Sequence, residues 1–289
     1  MINKITGKFP DRKSRQSSAE LLSACIVVPT YDEANNIKVL LDRIFSSSNN
    51  RSCKRNGISL SVLVVDDNSP DGTSKVVLHY KKTNKRVHLL LRKQKNGLGA
   101  AYIAGMEYAM RNLKPQVILE MDADLSHDPE DIFRLLMEIK KGADLVIGSR
   151  YIDGGSIPAQ WGIRRKLISR TANLFARSML NIHYVQDCTG GFRAIRCSAL
   201  EKINLQALNV RGYVFQISLL DAILQNNHSV REIPISFNER LSGKSKMELK
   251  DIFEVGTFVL KTSFQNKFLS FFGSNKSSAL KDSIQKTEI

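Results

Sequence analysis

Short apolar runs alternate along the first half of the chain with segments whose apolar residues recur every three or four positions, and each run ends in polar or acidic residues. The first, ACIVVP from Ala24 to Pro29, is rich in β-branched residues and stopped by a proline, which predicts a buried strand giving way to a loop at Tyr31 to Glu33. In EANNIKVLLDRIF, Ile37, Leu40, Leu41, Ile44 and Phe45 then fall at helical spacing. LSVLVV predicts a second strand ending in Asp66 and Asp67, with SPDGT as turn and cap residues before another helix. RVHLLLRK, QVILEMDAD and ADLVIGSR read as third, fourth and fifth strands. A small-residue helix, LGAAYIAGMEYAM, separates the third from the fourth, and a helix from Pro129 to Lys140, capped by Asp128, separates the fourth from the fifth.

Strands alternating with helices predict βαβ units: an α/β fold with a mixed, mostly parallel sheet flanked by helices on both faces. Ligands of such sheets sit at the carboxyl ends of the strands. Tyr31 to Glu33, Asp66 to Asn68, Asp122 to Asp124 and Ser149 to Arg150 all trail apolar strands, so they are expected to converge on one crevice.

The second half is less regular. RRKLISRTANLFARSMLN reads as a basic amphipathic helix, DCTGGFRAIR as a glycine turn, GYVFQISLLDAILQ as a helix and VREIPISFNER as a strand ending at Arg240. Beyond the turn LSGKSKM, residues 249–272 carry an apolar face with six phenylalanines interrupted by lysines. The expected organisation is a basic flexible tail over 1–22, a catalytic domain over 23–247, amphipathic interfacial or packing helices over 248–273 and a disordered Ser/Lys-rich tail over 274–289.

Charge narrows the partners. With 43 Lys+Arg against 28 Asp+Glu in 289 residues, the formal net charge is +15, which favours an anionic partner: nucleotide, phosphorylated substrate, lipid headgroups or nucleic acid. No stacking-aromatic RNA signature or zinc-finger spacing is present, so nucleic acid is not an expected partner. Four cysteines without CxxC or His/Cys metal spacing argue for reduced thiols on a cytosolic face. The basic N-terminus lacks the apolar stretch of a secretory signal, and no uncharged apolar run reaches about 18 residues, so membrane contact is expected to be peripheral.

Asp122 and Asp124, one alanine apart at the end of an apolar run, repel each other unless solvent screens them or a cation sits between them. A D-x-D taken alone is most often a solvated turn or cap; its place at a strand end beside other acidic strand ends favours the cation. Mg²⁺ or Mn²⁺ takes hard oxygen ligands and commonly joins one or two carboxylates to phosphates, which suits a nucleotide diphosphate. Asp66 and Asp67 could accept hydrogen bonds from a base or ribose, and Glu33 could do the same.

The ordered set VVPTYDEANNI, VVDDNSPDGT, KNGLGAAYIAG, MDADLSHDPEDI, GSRY, DCTGGFRA, GYVFQ and ISFNERLSGKSKM resembles the motifs of dolichyl-phosphate (polyprenyl-phosphate) mannosyltransferases, inverting GT-A glycosyltransferases of family two. The match runs from about Cys25 to Met247. It implies transfer of mannose from GDP-mannose to dolichyl or another polyprenyl phosphate at a membrane surface, on the cytosolic face, with small membrane-anchoring subunits as further partners. By matching position, Pro29, Tyr31, Glu33, Val65, Asp66 and Asp67 become nucleotide-facing. Asp122, Ala123 and Asp124 become the metal and diphosphate motif, with Ser126 as a third metal position where relatives often carry glutamine. Arg150, Arg165 and Ser169 match acceptor-phosphate positions, and Arg240, Ser245 and Lys246 a basic segment near the donor diphosphate. Asp124, Arg150 and Arg240 are the implied catalytic residues. Ser218 departs from the glutamate common at its position.

Two rivals are distinguishable. A lipid-phosphate glucosyltransferase using a UDP-sugar shares the fold and differs in nucleotide and hexose preference. An NAD-dependent oxidoreductase is suggested by GLGAAYIAG, but Tyr102 occupies the place of the third small residue, so these small residues are better read as helix packing.

Overall fold

The structure is a computed structural model that describes residues 21–180, 182, 184–208 and 212–239. The sequence-based assignments of helices over 248–273, of a disordered tail over 274–289, and of Arg240, Ser245 and Lys246 fall outside the described residues, as does the expected basic tail over 1–22 except for Leu21 and Leu22, the latter opening the first strand.

Each predicted apolar run is a strand: β1 (Leu22–Thr30), β2 (Ile58–Asp66), β3 (Val87–Leu91), β4 (Val117–Glu120), β5 (Leu145–Ser149) and, later, β7 (Val230–Pro234). They join a seven-stranded sheet in the order β3-β2-β1-β4-β6-β5-β7. The member that sequence periodicity misses is β6 (Arg193–Arg196), which pairs antiparallel with β4 on one side and β5 on the other. The expected glycine turn at DCTGGFRAIR is thus corrected: its first half is a loop and its second half a central strand. Four residues are too few to show a period, and two of them are arginines.

Helices cover both faces. On one lie α1 (Ala34–Ile44), α2 (Ser47–Arg55), α3 (Thr73–Thr83) and α5 (Asp131–Lys140), whose Ile37, Leu40, Leu41, Val77, Ile132 and Leu135 pack on Ala24, Ile26, Val28, Val62 and Val64. On the other lie α4 (Leu98–Tyr108), α6 (Ile163–Met179), α7 (Cys197–Leu200) and α8 (Gly212–Gln225), packed on Cys25, Val27, Leu63 and Val65. Alternate strand residues serve opposite layers, as the pleat requires, so the parallel strands read as continuous apolar runs. All four cysteines are buried and free. The expected helix at Pro129 begins at Asp131, with the Asp128 carboxylate accepting the Glu130 N–H at 3.1 Å. Helix α2, SSNNRSCKR, is too polar to announce itself by periodicity. The last expected strand stops at Pro234, followed by a single bridge between Ser156 and Ser236.

The register aligns the carboxyl ends that matter, pairing Thr30 with Asp66 and Val27 with Glu120. Among the described residues, no helix is long and apolar enough to cross a membrane. On α6, however, Ile163, Leu167 and Leu174 are exposed, and the helix carries five Arg or Lys and no Asp or Glu in its 17 residues.

The small residues of α4 serve packing. A Cβ on Gly105 would meet Val27 Cγ1 and lie 2.8 Å from Val65 Cγ2, so the helix sits on the sheet only because this position is bare. Gly105→Ala is expected to lower stability by about 1–3 kcal/mol through overpacking, read as a shifted urea midpoint. An unchanged midpoint would show that the α4–sheet contact is not this tight.

Candidate active site

A cavity of about 320 Å³ opens where β1, β2, β4 and β5 end. Pro29, Tyr31 and Glu33 reach it from the end of β1, Asp67 from β2, Asp122 to Asp124 and His127 from β4, and Arg150 from β5. Arg165 of α6 and Gln216 of α8 complete the far wall with Trp161, Thr189, Gly191 and Phe237.

The paired carboxylates are held by short local contacts. Asp122 accepts a hydrogen bond from the Tyr102 hydroxyl at 3.1 Å, and Asp124 accepts the Ser126 N–H at 3.0 Å. Between them and the following helix, Leu125 adopts φ 64°, a left-handed conformation costing a bulky residue on the order of 1–3 kcal/mol. His127 Nδ1 accepts the Asp122 N–H at 3.2 Å, which places the neutral ring's proton on Nε2. The ring stacks on Phe192 with centroids 4.9 Å apart and meets Phe237 edge-on at 5.4 Å. Burial lowers the His127 pKa, against the pull of Asp122 and Asp124. The loop is thus stiff, and its acidic side chains face the cavity with a neutral imidazole beside them.

On the base side, Asp67 pairs with Arg92 at 2.9 Å, and the Lys95 ammonium lies 3.9 Å over the Tyr31 ring. Burial raises the Asp67 pKa, with Arg92 opposing. Glu33 accepts from Asn36 Nδ2 at 2.7 Å.

On the opposite side, Arg150 forms a buried two-pronged pair with Asp187, Nε to Oδ2 at 2.7 Å and Nη2 to Oδ1 at 2.8 Å, and Nη2 also donates to Thr189 Oγ1 at 2.9 Å. Burial alone would raise the Asp187 carboxyl; the Arg150 guanidinium and its hydrogen bonds hold it below its usual value instead. Arg165 lies 3.8 Å over the Trp161 ring. Beneath the floor, Glu120 faces Arg193 across the β4–β6 pairing. Arg193, fully buried, donates to the carbonyls of Gly190, Gln216 and Cys188 at 2.7–2.8 Å. Burial pushes the Glu120 carboxyl up to about 7, with Arg193 opposing.

The structure therefore brings Pro29, Tyr31, Glu33, Asp67, Asp122, Ala123, Asp124, Arg150 and Arg165 together in one wall. It turns others away. Asp66 is fully buried and accepts from Ser69 N–H at 2.9 Å, Ser69 Oγ at 2.8 Å and Thr30 Oγ1 at 3.1 Å, so its carboxylate closes a turn. The Val65 side chain packs in the layer under α4. Ser126 is wholly buried, its hydroxyl has no hydrogen-bond partner, and it is absent from the cavity wall, so the third metal position is not assembled there. Ser169 is likewise set back, its hydroxyl 2.6 Å from that of Tyr151. Periodicity misses Lys95, Trp161, Thr189, Gln216 and Phe237, which come from loops and from inside a helix; four of them lie within the motifs KNGLGAAYIAG, DCTGGFRA, GYVFQ and ISFNERLSGKSKM, and Trp161 stands beside Arg164 and Arg165.

The donor set suits a hard divalent cation: two carboxylates on one loop can hold it while a diphosphate and water supply the remaining oxygens. Among the described residues, no group of three or more His, Cys, Asp and Glu side chains is gathered for a metal. Any cation here would therefore need ligand oxygens from elsewhere.

The fold is the GT-A fold of glycosyltransferases. The model of glycosyl transferase family 2 matches residues 25–204, and the chain belongs to that family. It is 42% identical over 230 residues to a polyprenol monophosphomannose synthase of Mycolicibacterium smegmatis, covering 79% of this chain and 82% of the relative. It is 40% identical over 222 residues to an undecaprenyl-phosphate mannosyltransferase of Micrococcus luteus, covering 76% and 86%. Among solved structures, glucosyl-3-phosphoglycerate synthase from Mycobacterium tuberculosis, in complex with Mn²⁺, UDP and phosphoglyceric acid, superposes with a TM-score of 0.57 at 15% identity, covering 85% of this chain and 78% of that one. The resemblance to polyprenyl-phosphate mannosyltransferases seen in the motifs thus extends over most of the chain.

Asp187→Asn is expected to cost about 3–5 kcal/mol at neutral pH, because it leaves the Arg150 charge buried without its counter-ion. The wild-type pair contributes fully above the unfolded-state carboxyl pKa and is lost as pH falls through the lower folded value. Denaturant unfolding from pH 7 down into that acid range should show the wild type converging on the variant. Parallel curves would mean that the pair is not ionised as drawn.

Proposed function

We propose that the chain transfers mannose from GDP-mannose to dolichyl or another polyprenyl phosphate, with inversion, giving a β-linked mannosyl phosphate lipid. The observation that carries this reading is that two carboxylates and two arginines, Asp122, Asp124, Arg150 and Arg165, face one another across a single cavity. The names of the two bacterial relatives support the sugar and the lipid phosphate.

The chemistry asks little of a base. A phosphate monoester with a second pKa of about 6 is largely a dianion at neutral pH and is already nucleophilic. Its oxygen attacks the anomeric carbon as the bond from that carbon to the diphosphate oxygen breaks, and GDP departs with the electron pair; no proton need move. Asp122 and Asp124 would hold Mg²⁺ or Mn²⁺, which when bound would supply charge neutralisation for the departing diphosphate. Arg165, braced on Trp161, presents a fork suited to the acceptor phosphate, and Arg150, oriented by Asp187 and Thr189, lines the approach. Tyr31 and Asp67 fit the base end of the donor, and Arg240 and Lys246 are assigned to the diphosphate by motif alone.

The bilayer is the source of the acceptor. The exposed Ile163, Leu167 and Leu174 on a helix without acidic residues suit an interface rich in anionic headgroups, and that same helix carries Arg165 into the cavity. Peripheral association of this kind leaves room for small anchoring subunits.

Transfer of label from GDP-mannose to a polyprenyl phosphate in lipid vesicles, with Mn²⁺ or Mg²⁺, against UDP-glucose and a chelator control, tests the reading. Metal-dependent mannolipid is expected, with Asp124→Asn reducing transfer at least about a hundredfold while the unfolding curve stays cooperative. Equal product with chelator, or a glucolipid from UDP-glucose alone, would refute it. Arg165→Ala should raise the acceptor KM about tenfold or more with the donor KM little changed; an unaltered acceptor dependence would remove Arg165 from the phosphate site.

A further inference from the structure

One polar group at the cavity is set up for a ligand that the preceding roles do not use. Gln216 is 3% exposed and lines the cavity from α8, and its side-chain oxygen, itself covered in this rotamer, has no hydrogen-bond partner. Its surroundings are built rather than incidental. The Gln216 carbonyl accepts from Arg193 at 2.7 Å, and its amide nitrogen donates to Glu120 at 3.4 Å. The preceding residue, Phe215, stacks on Tyr102 with ring planes 5° apart, tying this turn of α8 to α4. Beside it, Gly191 offers no side chain: a Cβ there would lie 3.8 Å from Gln216 Nε2 and 3.9 Å from His127 Cε1, so the wall is bare between two polar groups. A buried acceptor without a donor is uncommon, and where one lines a cavity a ligand hydrogen is the natural completion.

Position and chemistry select the ligand group. Gln216 is linked through Glu120 to the strand that delivers Asp122, on the diphosphate side. It is also linked through Arg193 to the Cys188–Gly190 loop, whose Thr189 holds Arg150 on the acceptor side. What spans these two ends in a transfer reaction is the hexose. Phosphate oxygens at either end are acceptors and gain nothing from an amide oxygen, whereas sugar hydroxyls are donors. The terminal amide torsion is soft, so a small rotation presents the oxygen without moving the helix. We propose that Gln216 reads the donor sugar, its amide oxygen accepting a hydrogen bond from one hexose hydroxyl, with Glu120 and Arg193 as the positioning residues that hold it. This rests on the glycosyl-transfer reading above and names the sugar-facing contact within it.

The test uses the full chain and whichever of GDP-mannose and UDP-glucose the wild type accepts, with the series of monodeoxy hexose analogues of that donor. A wrong nucleotide in the preceding reading then shows as use of the other donor, and the Gln216 arm remains readable. The wild type should lose about ten- to a hundredfold in kcat/KM on one analogue. Gln216→Met, close in volume and without the amide, should lose a similar factor on the parent sugar and no longer distinguish that analogue from it, while GDP or UDP binding stays within about twofold. Gln216→Asn, which keeps the amide but withdraws it by one methylene, should show the same loss of discrimination and serves if the Met variant does not fold. Lowered turnover with the analogue preference intact would assign Gln216 a structural role and overturn the proposal. A wild type indifferent to every deoxy analogue would overturn it without any variant, and absence of transfer from both donors would overturn it together with the functional reading.

Discussion

A guanidinium sealed from water must find acceptors inside the protein, and much of the catalytic half is arranged around that requirement at Arg193. Its three donor nitrogens are taken by carbonyls of the Cys188–Gly190 loop and of α8, while Glu120 faces it across β4 and β6. A loop with two glycines, which would otherwise be free to wander, is pinned at two carbonyls. Through Asp187 and Thr189 that loop fixes Arg150, and through Gln216 the same residue fixes the wall opposite the carboxylates. Losing any of these acceptors would leave a buried donor unsatisfied, so the guanidinium ties the loop and α8 into one arrangement.

The cavity divides its charge by side. Carboxylates gather where β4 ends, and guanidinium groups gather where β5 ends and α6 begins, each with a restraint that limits its motion. Arg150 is nearly neutralised by Asp187, so its contribution is shape and a directed residual field. Arg165 lies over the indole of Trp161 at the other end of the same side. The asymmetry suits a reaction in which one phosphate leaves while another arrives.

How much of this was legible in the sequence follows from how each residue earns its place. The parallel strands announced themselves because a strand covered on both faces is apolar throughout, and the carboxylates stood out because they interrupt such a run. Tyr31, Asp67, Asp122, Asp124, Arg150 and Arg165, singled out in the sequence, all line the one cavity. Of the adjacent aspartates only Asp67 lines the cavity, while the Asp66 carboxylate accepts from Ser69 and Thr30 and closes a turn. Strand β6 stayed hidden because it is four residues long and two of them are arginines, although its Ala194 and Ile195 are buried in the two core layers. Gln216 and Phe237 lie in quoted motifs, but no periodicity marks them as cavity residues, because distant segments must fold together to bring them there.

The placement of β6 between β4 and β5 also bears on how the chain is made. β4 ends at Glu120 and β5 at Ser149, yet their shared neighbour begins only at Arg193. With synthesis at about 5–20 residues per second, the β3-β2-β1-β4 part of the sheet waits on the order of seconds with an open edge. Open edges recruit other chains, and a charge placed on one discourages that pairing. Glu120 is the only charged residue of β4, and the edge it stands on closes when β6 pairs there with Arg193 opposite it.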